Sequence, residues 1–199
     1  MIKYTIYNDL HIGSKYQDNP NAQKEIEAYL FTELDHTNVI LNGDILDFTC
    51  APRKNLHWMY DLRDALRAKF GAYYRMGNHE ACGIDDYDLV IPSSNNRFYL
   101  VEHGDLLSDY VKWSKYRQKS HGSSKLGQIK TALFDKMDWL KGNRKLPTEF
   151  VKNAIAKCKR LGLNGIIVGH FHPLKRIDIH EQGIHIIVLP AHYKNEVSL

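Results

Sequence analysis

The chain has 199 residues, of which 43% are apolar, and it carries a formal net charge of +4. This length and composition suffice for the core of one domain covering residues 1–199, and they exclude a disordered chain. No apolar run is long enough to cross a membrane, residues 1–6 do not resemble a signal peptide, and the three cysteines form no disulfide pattern, so we expect a cytoplasmic protein.

The first predicted strand covers residues 3–7, which alternate and are rich in β-forming types. Asp9 and His11 follow it directly. Residues two positions apart in an extended chain point to the same side, so this carboxylate and imidazole could face one cation. The tripeptide alone is explained more simply by a polar strand end with a turn at Gly13. Residues 20–36 then have the apolar spacing of a helix that packs on the sheet.

The second predicted strand, at 39–41, is a buried apolar run, and Asp44 and Asp47 follow its carboxyl end. Open α/β sheets bind their ligands at the carboxyl ends of the strands. A carboxylate at this position could bridge two cations, which in two-metal sites lie about 3.5–4 Å apart. Asp47 could orient a neighbouring histidine. An isolated Gly-Asp pair, however, is more often an ordinary turn.

Three further predicted strands end in groups of the same kind. An amide oxygen or an imidazole can bind a metal ion, and an imidazole can also transfer a proton. Because five separate strands of one chain end in this way, turns alone do not account for the pattern. The three strands and the residues that follow them are 72–76 with Asn78 and His79, 98–102 with His103, and 165–168 with His170 and His172.

The remaining predicted elements frame a basic segment. We expect helices at 57–70 and 149–161 and closing strands at 176–180 and 185–189. Residues 106–145 contain ten Lys or Arg and three Asp, which gives this segment a charge of +7 and leaves the rest of the chain at −3. Its apolar spacing predicts two helical pieces that pack against the body of the protein.

In chain order, the motifs closely resemble those of the calcineurin-like metallophosphoesterases. The resemblance extends from residue 2 to about residue 189. It implies an α/β fold, a four-layer α/β/β/α sandwich, in which 106–145 is a helical cap insertion similar in position to that of the UDP-diacylglucosamine hydrolases. The motifs are Asp9-Leu10-His11, Gly43-Asp44 with Asp47, Gly77-Asn78-His79-Glu80, His103-Gly104-Asp105 and Gly169-His170-Phe171-His172.

The resemblance implies two divalent metal ions and hydrolysis of a phosphate ester or diphosphate by metal-activated water. Mixed nitrogen and oxygen ligands suit Mn²⁺, Fe or Zn²⁺, and the family favours Mn²⁺. His79, held by Asp47, would protonate the leaving oxygen. The ligands would be Asp9, His11, Asp44 and His172 for the first ion, and Asp44, Asn78, His103 and His170 for the second.

The expected substrate is a small phosphorylated molecule, such as a nucleotide conjugate. Arg53 could contact its phosphate, although such an arginine is more often simply solvated. Trp113 and Arg117 share one face of the first helical piece of the insertion and are further candidates for substrate contacts.

Two other functions stay open on the sequence. A nuclease could use the Lys and Arg residues interleaved with Tyr110, Trp113 and Tyr116 to follow a phosphate backbone and stack bases. A non-catalytic scaffold could keep the metal-binding fold for binding another protein. The presence of both His79 and Asp47 argues against a scaffold, because a scaffold need not retain a proton donor together with its partner.

Overall fold

The computed structural model describes residues 1–13, 20–33, 38–48, 51, 53–80, 88–107, 146–191 and 194–199. The insertion predicted for 106–145 lies outside these residues from 108 onward, as do Trp113 and Arg117. The α-helices are α1 Pro20–Ala28, α2 Leu56–Phe70 and α3 Thr148–Leu161. The strands are β1 Lys3–Tyr7, β2 Val39–Asn42, β3 Tyr74–Arg75, β4 Leu89–Pro92, β5 Phe98–Glu102, β6 Gly165–Val168, β7 Ile177–Glu181, β8 Ile184–Val188 and β9 Lys194–Ser198.

The strands form two sheets, each with parallel strands at its centre. The first sheet has the order β3-β2-β1-β9, in which β1, β2 and β3 are parallel and β9 is antiparallel. The second has the order β4-β5-β6-β8-β7, in which β5, β6 and β8 are parallel and the edge strands β4 and β7 are antiparallel. The carboxyl ends of the central strands therefore lie at one edge of each sheet.

Three apolar clusters separate four layers of secondary structure. One cluster lies between helices α1 and α2 and the first sheet, one between the two sheets, and one between the second sheet and α3. Successive side chains of a strand point to opposite faces of the sheet and so enter different clusters. Val39 and Leu41 face the helices, whereas Ile40 faces the second sheet. In β6, Ile167 faces the first sheet in the same way. The predicted four-layer α/β/β/α sandwich is confirmed.

The carboxyl ends of strands from both sheets meet at one end of the sandwich. Asn42, the last residue of β2, donates a hydrogen bond from Nδ2 to the carbonyl oxygen of Glu102, the last residue of β5, over 3.0 Å. Asn8, which follows β1, donates one from Nδ2 to the carbonyl oxygen of Pro190, shortly after β8, over 3.1 Å. Loops that are far apart in the sequence are therefore neighbours at this end.

The structure shortens one of the predicted strands and contains two strands that were not predicted. Gly71–Tyr73 forms a 3-10 turn after α2, so the strand predicted at 72–76 is reduced to β3. The sequence analysis also missed β4 and β9. Pro92 within β4 obscures the strand pattern, because proline is tolerated only at the edge of a sheet. The segment of β9 is mostly polar, and its Val197 packs between the sheets.

Two smaller features complete the fold. The helix predicted from residue 20 is α-helical to Ala28 and continues as the π-helix Tyr29–Glu33. Among the helices that the structure describes, none is both long and apolar enough to cross a lipid bilayer.

Candidate metal centre

Five of the candidate ligands lie in loops with a left-handed backbone. Positive φ is uncommon for residues other than glycine and indicates a constrained site. At these residues the backbone turns sharply after the strand, and the side chains converge. The extended geometry expected for Asp9 and His11 is therefore wrong. The φ angles are 53° for Asp9, 49° for His11, 50° for Asp44, 66° for His170 and 47° for His172.

A first group of donors consists of Asp9, His11 and His172. Their nearest donor atoms all lie within 4.8 Å of one another. Nε2 of His172 is 3.0 Å from Oδ1 of Asp9, and the rings of His11 and His172 are 5.5 Å apart between centroids. The backbone N–H of His170 donates to Oδ2 of Asp9 over 3.1 Å, which holds the carboxylate in place.

A second group consists of Asp44, His103 and His170, with Asn78 beside it. Nε2 of His103 is 3.1 Å from Oδ2 of Asp44, 3.2 Å from Nδ1 of His170 and 3.3 Å from Oδ1 of Asn78. The same nitrogen is 3.9 Å from Oδ1 of Asp9. The two groups are therefore adjacent. Asp44 also lies within 4.8 Å of donors on His11 and His79. Because His11 belongs to the first group, Asp44 lies between the two groups.

The donor set fits divalent cations. Zn²⁺ binds nitrogen and oxygen at about 2.0–2.2 Å, so neighbouring ligand atoms around one ion are about 3.0–3.5 Å apart. The separations around His103 and His172 fall in this range. Imidazole nitrogens with carboxylate and amide oxygens suit Zn²⁺, Mn²⁺ or Fe.

The carboxylates of this site are ionised although they are buried. Asp9 is 0% and Asp44 is 2% exposed. Burial raises the pKa of Asp9, but the hydrogen bond with His172 and the charge of His103 outweigh it, so the net shift is downward. Burial likewise raises the pKa of Asp44, and the charges of His103 and His79 lower it overall. Two negative charges inside the protein favour a cation at this position.

The two histidines of the second group have opposite pKa shifts. Burial lowers the pKa of His103, but the charge and hydrogen bond of Asp44 raise it well above its usual value. Burial and the neighbouring charge of His103 lower the pKa of His170 to about 3, so its imidazole is neutral. A neutral imidazole has a lone pair for a metal ion, and at His103 a metal ion would compete with a proton for the same nitrogen.

His103 is oriented by the end of β2. Its Nδ1 lies 3.3 Å from the carbonyl oxygen of Asn42, a contact in which Nδ1 carries the proton and donates. Nε2 is then the nitrogen that faces Asp44 and Asn78. A hydrogen bond of this kind fixes the tautomer of a ligating histidine.

His79 and Asp47 form a pair beside the two groups. Nδ1 of His79 is 3.0 Å from Oδ1 of Asp47, and these side chains are 14% and 7% exposed. The ring of His79 packs edge-on against His11, with 4.7 Å between centroids. The other Asp47 oxygen is 3.6 Å from Nδ1 of His11, too far for a hydrogen bond. Nε2 of His79 is thus the nitrogen that could exchange a proton with a ligand.

Glu80, which was not among the predicted site residues, lies buried beside the site. This residue is 0% exposed and accepts hydrogen bonds from the backbone of both loops that hold Asp44 and Asn78. Burial and the charge of Asp44 raise its pKa to about 7 despite these hydrogen bonds. Its place directly after His79 was the one available signal.

The structure brings nine of the predicted site residues together. Arg53 begins the short 3-10 turn Arg53–Asn55 before α2. Trp113 and Arg117 lie outside the described residues. The residues that meet at the site are Asp9, His11, Asp44, Asp47, Asn78, His79, His103, His170 and His172.

The four layers and the five motifs meeting at one end of the sandwich decide the type of fold. The chain has the four-layer architecture that the resemblance to the calcineurin-like metallophosphoesterases implied. The sandwich, the strand ends and the shared Asp44 all agree with that resemblance.

Comparisons with known proteins find only distantly similar solved structures. No family model and no curated protein matches the chain. A predicted phosphoesterase from Streptococcus pneumoniae TIGR4 is 14% identical with a TM-score of 0.42, and the match covers 96% of this chain and 74% of that one. Vps29 from Entamoeba histolytica complexed with Zn²⁺ is 12% identical with a TM-score of 0.43 over the same shares of each chain. An archaeal phosphodiesterase is 9% identical with a TM-score of 0.34 over 100% of both chains.

We predict that Gly43→Ala weakens Zn²⁺ binding and that Gly183→Ala does not. Both glycines have φ 79°, so both substitutions carry the same backbone cost of about 1 kcal/mol. A Cβ on Gly43 would lie 2.6 Å from the side chain of His103, whereas one on Gly183 meets nothing within 4 Å. Calorimetric titration should show about 10- to 100-fold weaker binding for Gly43→Ala. Equal affinities in the two variants would contradict a role for His103 as a ligand.

Proposed function

We propose that this protein is a phosphoesterase that depends on two divalent metal ions. One observation carries the proposal: Asp44 lies between two groups of metal-type donors, and the His79–Asp47 pair lies beside them. This arrangement combines a place for a phosphate group with a group that can transfer a proton. The cytoplasmic location and the single domain expected from the sequence are part of the same proposal.

The chain's own side chains would hold both ions. Bound divalent ions supply positive charge for phosphate oxygens and lower the pKa of water, and Mn²⁺ is our first choice with Fe or Zn²⁺ as alternatives. The ligands are Asp9, His11, Asp44 and His172 for one ion, and Asp44, Asn78, His103 and His170 for the other.

His79 acts as the proton donor in this proposal. Because the Nδ1–H of His79 donates to Asp47, the protonated imidazole carries its second proton on Nε2, from which it would pass to the leaving oxygen of the ester. Asp47 holds the orientation of the ring and stabilises its protonated form. The backbone N–H of His79 donates to Oδ1 of Asp44 over 2.7 Å, so the donor is held at a constant place relative to the metal ligands.

The substrate we propose is a small diphosphate, phosphodiester or phosphomonoester, such as a nucleotide conjugate. Arg53, Trp113 and Arg117 are the candidates for contacts with its non-reacting part. Support comes from the point where segment 108–145 joins the body. Leu107 and Leu146, on either side of it, pack in the same cluster as Phe171, which lies between His170 and His172.

We predict that Asp44→Asn abolishes turnover and lowers the bound metal below two equivalents. An amide lacks the charge and the second carboxylate oxygen that a shared ligand needs. Elemental analysis of protein loaded with Mn²⁺ and assays with phosphomonoesters and diesters measure both effects. Asp61→Asn, at a 68% exposed side chain on α2, is the control and should change neither.

Two results would count against this prediction. Full activity of wild-type protein with fewer than two metal equivalents would contradict the two-ion site. The absence of hydrolysis for every ester by metal-loaded wild-type protein would overturn the phosphoesterase proposal in favour of a scaffold.

We predict that His79→Ala leaves the metal content unchanged and lowers kcat for a phenyl ester by about 10²–10⁴-fold. A 4-nitrophenyl ester should lose much less, because its leaving group needs no proton. His57→Ala is a matched control, since His57 forms a similar pair with Asp61 at 2.8 Å but its side chain is 88% exposed. Equal losses on both esters would remove His79 from the donor role.

We predict that the double substitution Trp113→Ala and Arg117→Ala impairs a nucleoside diphosphate conjugate and spares 4-nitrophenyl phosphate. Remote contacts contribute only to large substrates. The matched control replaces Arg97 and Phe98, an exposed pair at the start of β5, at the end opposite the site. Steep loss of oligonucleotide binding with salt would favour a nuclease, because each neutralised phosphate releases counterions. If neither substrate is affected, these two residues do not bind substrate.

A further inference from the structure

The carboxylate of Glu80 is buried and accepts hydrogen bonds from two loops. Its Oε1 accepts hydrogen bonds from the hydroxyl of Tyr74 over 2.7 Å and from the backbone N–H of Leu46 over 3.0 Å. Its Oε2 accepts one from the backbone N–H of Gly77 over 2.9 Å. Both oxygens are thus engaged, and the residue is 0% exposed, so Glu80 is not placed to bind an ion or a substrate.

The two backbone donors belong to different loops of the site. Leu46 lies between Asp44 and Asp47 in the loop after β2, and Gly77 directly precedes Asn78 in the loop after β3. A single side chain therefore connects the loop that contains the proposed shared ligand to the loop that contains the proposed proton donor. Because one side chain holds both loops, a shift of one loop against the other would break at least one buried hydrogen bond.

Two further hydrogen bonds depend on the same register of the loops. The backbone N–H of His79 donates to Oδ1 of Asp44 over 2.7 Å, and the backbone N–H of Phe48 donates to the carbonyl oxygen of His79 over 3.0 Å. The contact between His79 and Asp47 also joins these two loops. If the loops moved apart, these contacts would change together, because each joins one loop to the other.

We propose that Glu80 is a positioning residue that fixes the loop after β2 against the loop after β3 and thereby sets the geometry of the His79–Asp47 pair. The proposal rests on the function proposed above, in which His79 donates a proton. Glu80 itself takes no part in the chemistry. A displacement of His79 by about 1 Å is sufficient to reduce catalysis about 100-fold.

The main test uses Glu80→Gln in Zn²⁺-loaded protein. The glutamine has nearly the same shape, but its NH₂ group replaces one acceptor and faces a backbone N–H. With ¹⁵N-labelled histidine, NMR should show the His79 Nδ1–H signal shifted or lost, while the Zn²⁺ content stays at the wild-type value. Tyr74→Phe is the matched control: it removes one donor to Glu80 but neither loop contact, so it should leave the signal in place.

Kinetics give a second readout. We expect Glu80→Gln to lower kcat for a phenyl ester about 10- to 100-fold, with a much smaller effect on a 4-nitrophenyl ester. In a His79→Ala background the same substitution should add little, because the group that it positions is already missing. Should Glu80→Gln fail to fold, Glu80→Asp keeps the charge but is too short to reach both loops, and the same pattern is expected.

The outcomes separate this inference from the proposed function. An unchanged His79 signal, equal losses on the two esters, or a full further loss in the His79→Ala background would overturn the positioning role while leaving phosphoesterase activity in place. If the wild-type protein hydrolyses no ester but the signal is lost in Glu80→Gln and kept in Tyr74→Phe, the proposed function fails and the positioning of His79 by Glu80 stands.

Discussion

Two ionised carboxylates, Asp9 and Asp44, are buried together where the carboxyl ends of the two sheets meet. Their charges repel each other, and burial removes the water that would solvate them. Such a pair requires hydrogen-bonding or cationic partners. His172 contacts Asp9 at 3.0 Å and His103 contacts Asp44 at 3.1 Å. Divalent cations would meet the same requirement more fully, and the remaining features of the site follow from this need.

Each of the two sheets contributes some of the donor residues. Loops of the first sheet contribute Asp9, His11, Asp44 and Asn78, and loops of the second contribute His103, His170 and His172. The apolar cluster between the sheets, which includes Ile40, Val101 and Ile167, therefore determines the distances within the site. The hydrogen bond from Asn42 to Glu102 joins the sheets at the same level. The geometry of the candidate metal centre thus depends on core packing.

The loops are held in a conformation that the chain would not adopt alone. Left-handed φ at residues such as His11 and His172 costs of order 1–3 kcal/mol each. Close approaches add a second constraint, since a Cβ on Gly169 would lie 2.7 Å from Oδ2 of Asp9. Buried hydrogen bonds, including those to Glu80, oppose this strain. A site built in this way is pre-organised, so binding of ions would require little rearrangement of the backbone.

The sequence by itself indicated an α/β fold and the polar residues that follow its strands, and the resemblance to a known family added the four layers and the grouping of those residues. This was possible because buried strands such as 39–41 and 165–168 are continuous apolar runs, and because polar residues follow each run directly. It also indicated His79 and Asp47 as a pair. The edge strands β4 and β9 were not predicted from the sequence, because edge strands carry few core residues and tolerate proline.

Only the tertiary structure decided how the donors converge. The two-residue spacing of Asp9 and His11 suggested an extended chain, but the structure has both residues in the left-handed region, a conformation stabilised by contacts with distant loops. The proposed role of Glu80 was hidden for the same reason, because its partner Leu46 reaches it only after β2 and β3 pair. Local sequence specifies which groups follow a strand, whereas long-range hydrogen bonds and packing specify where those groups point.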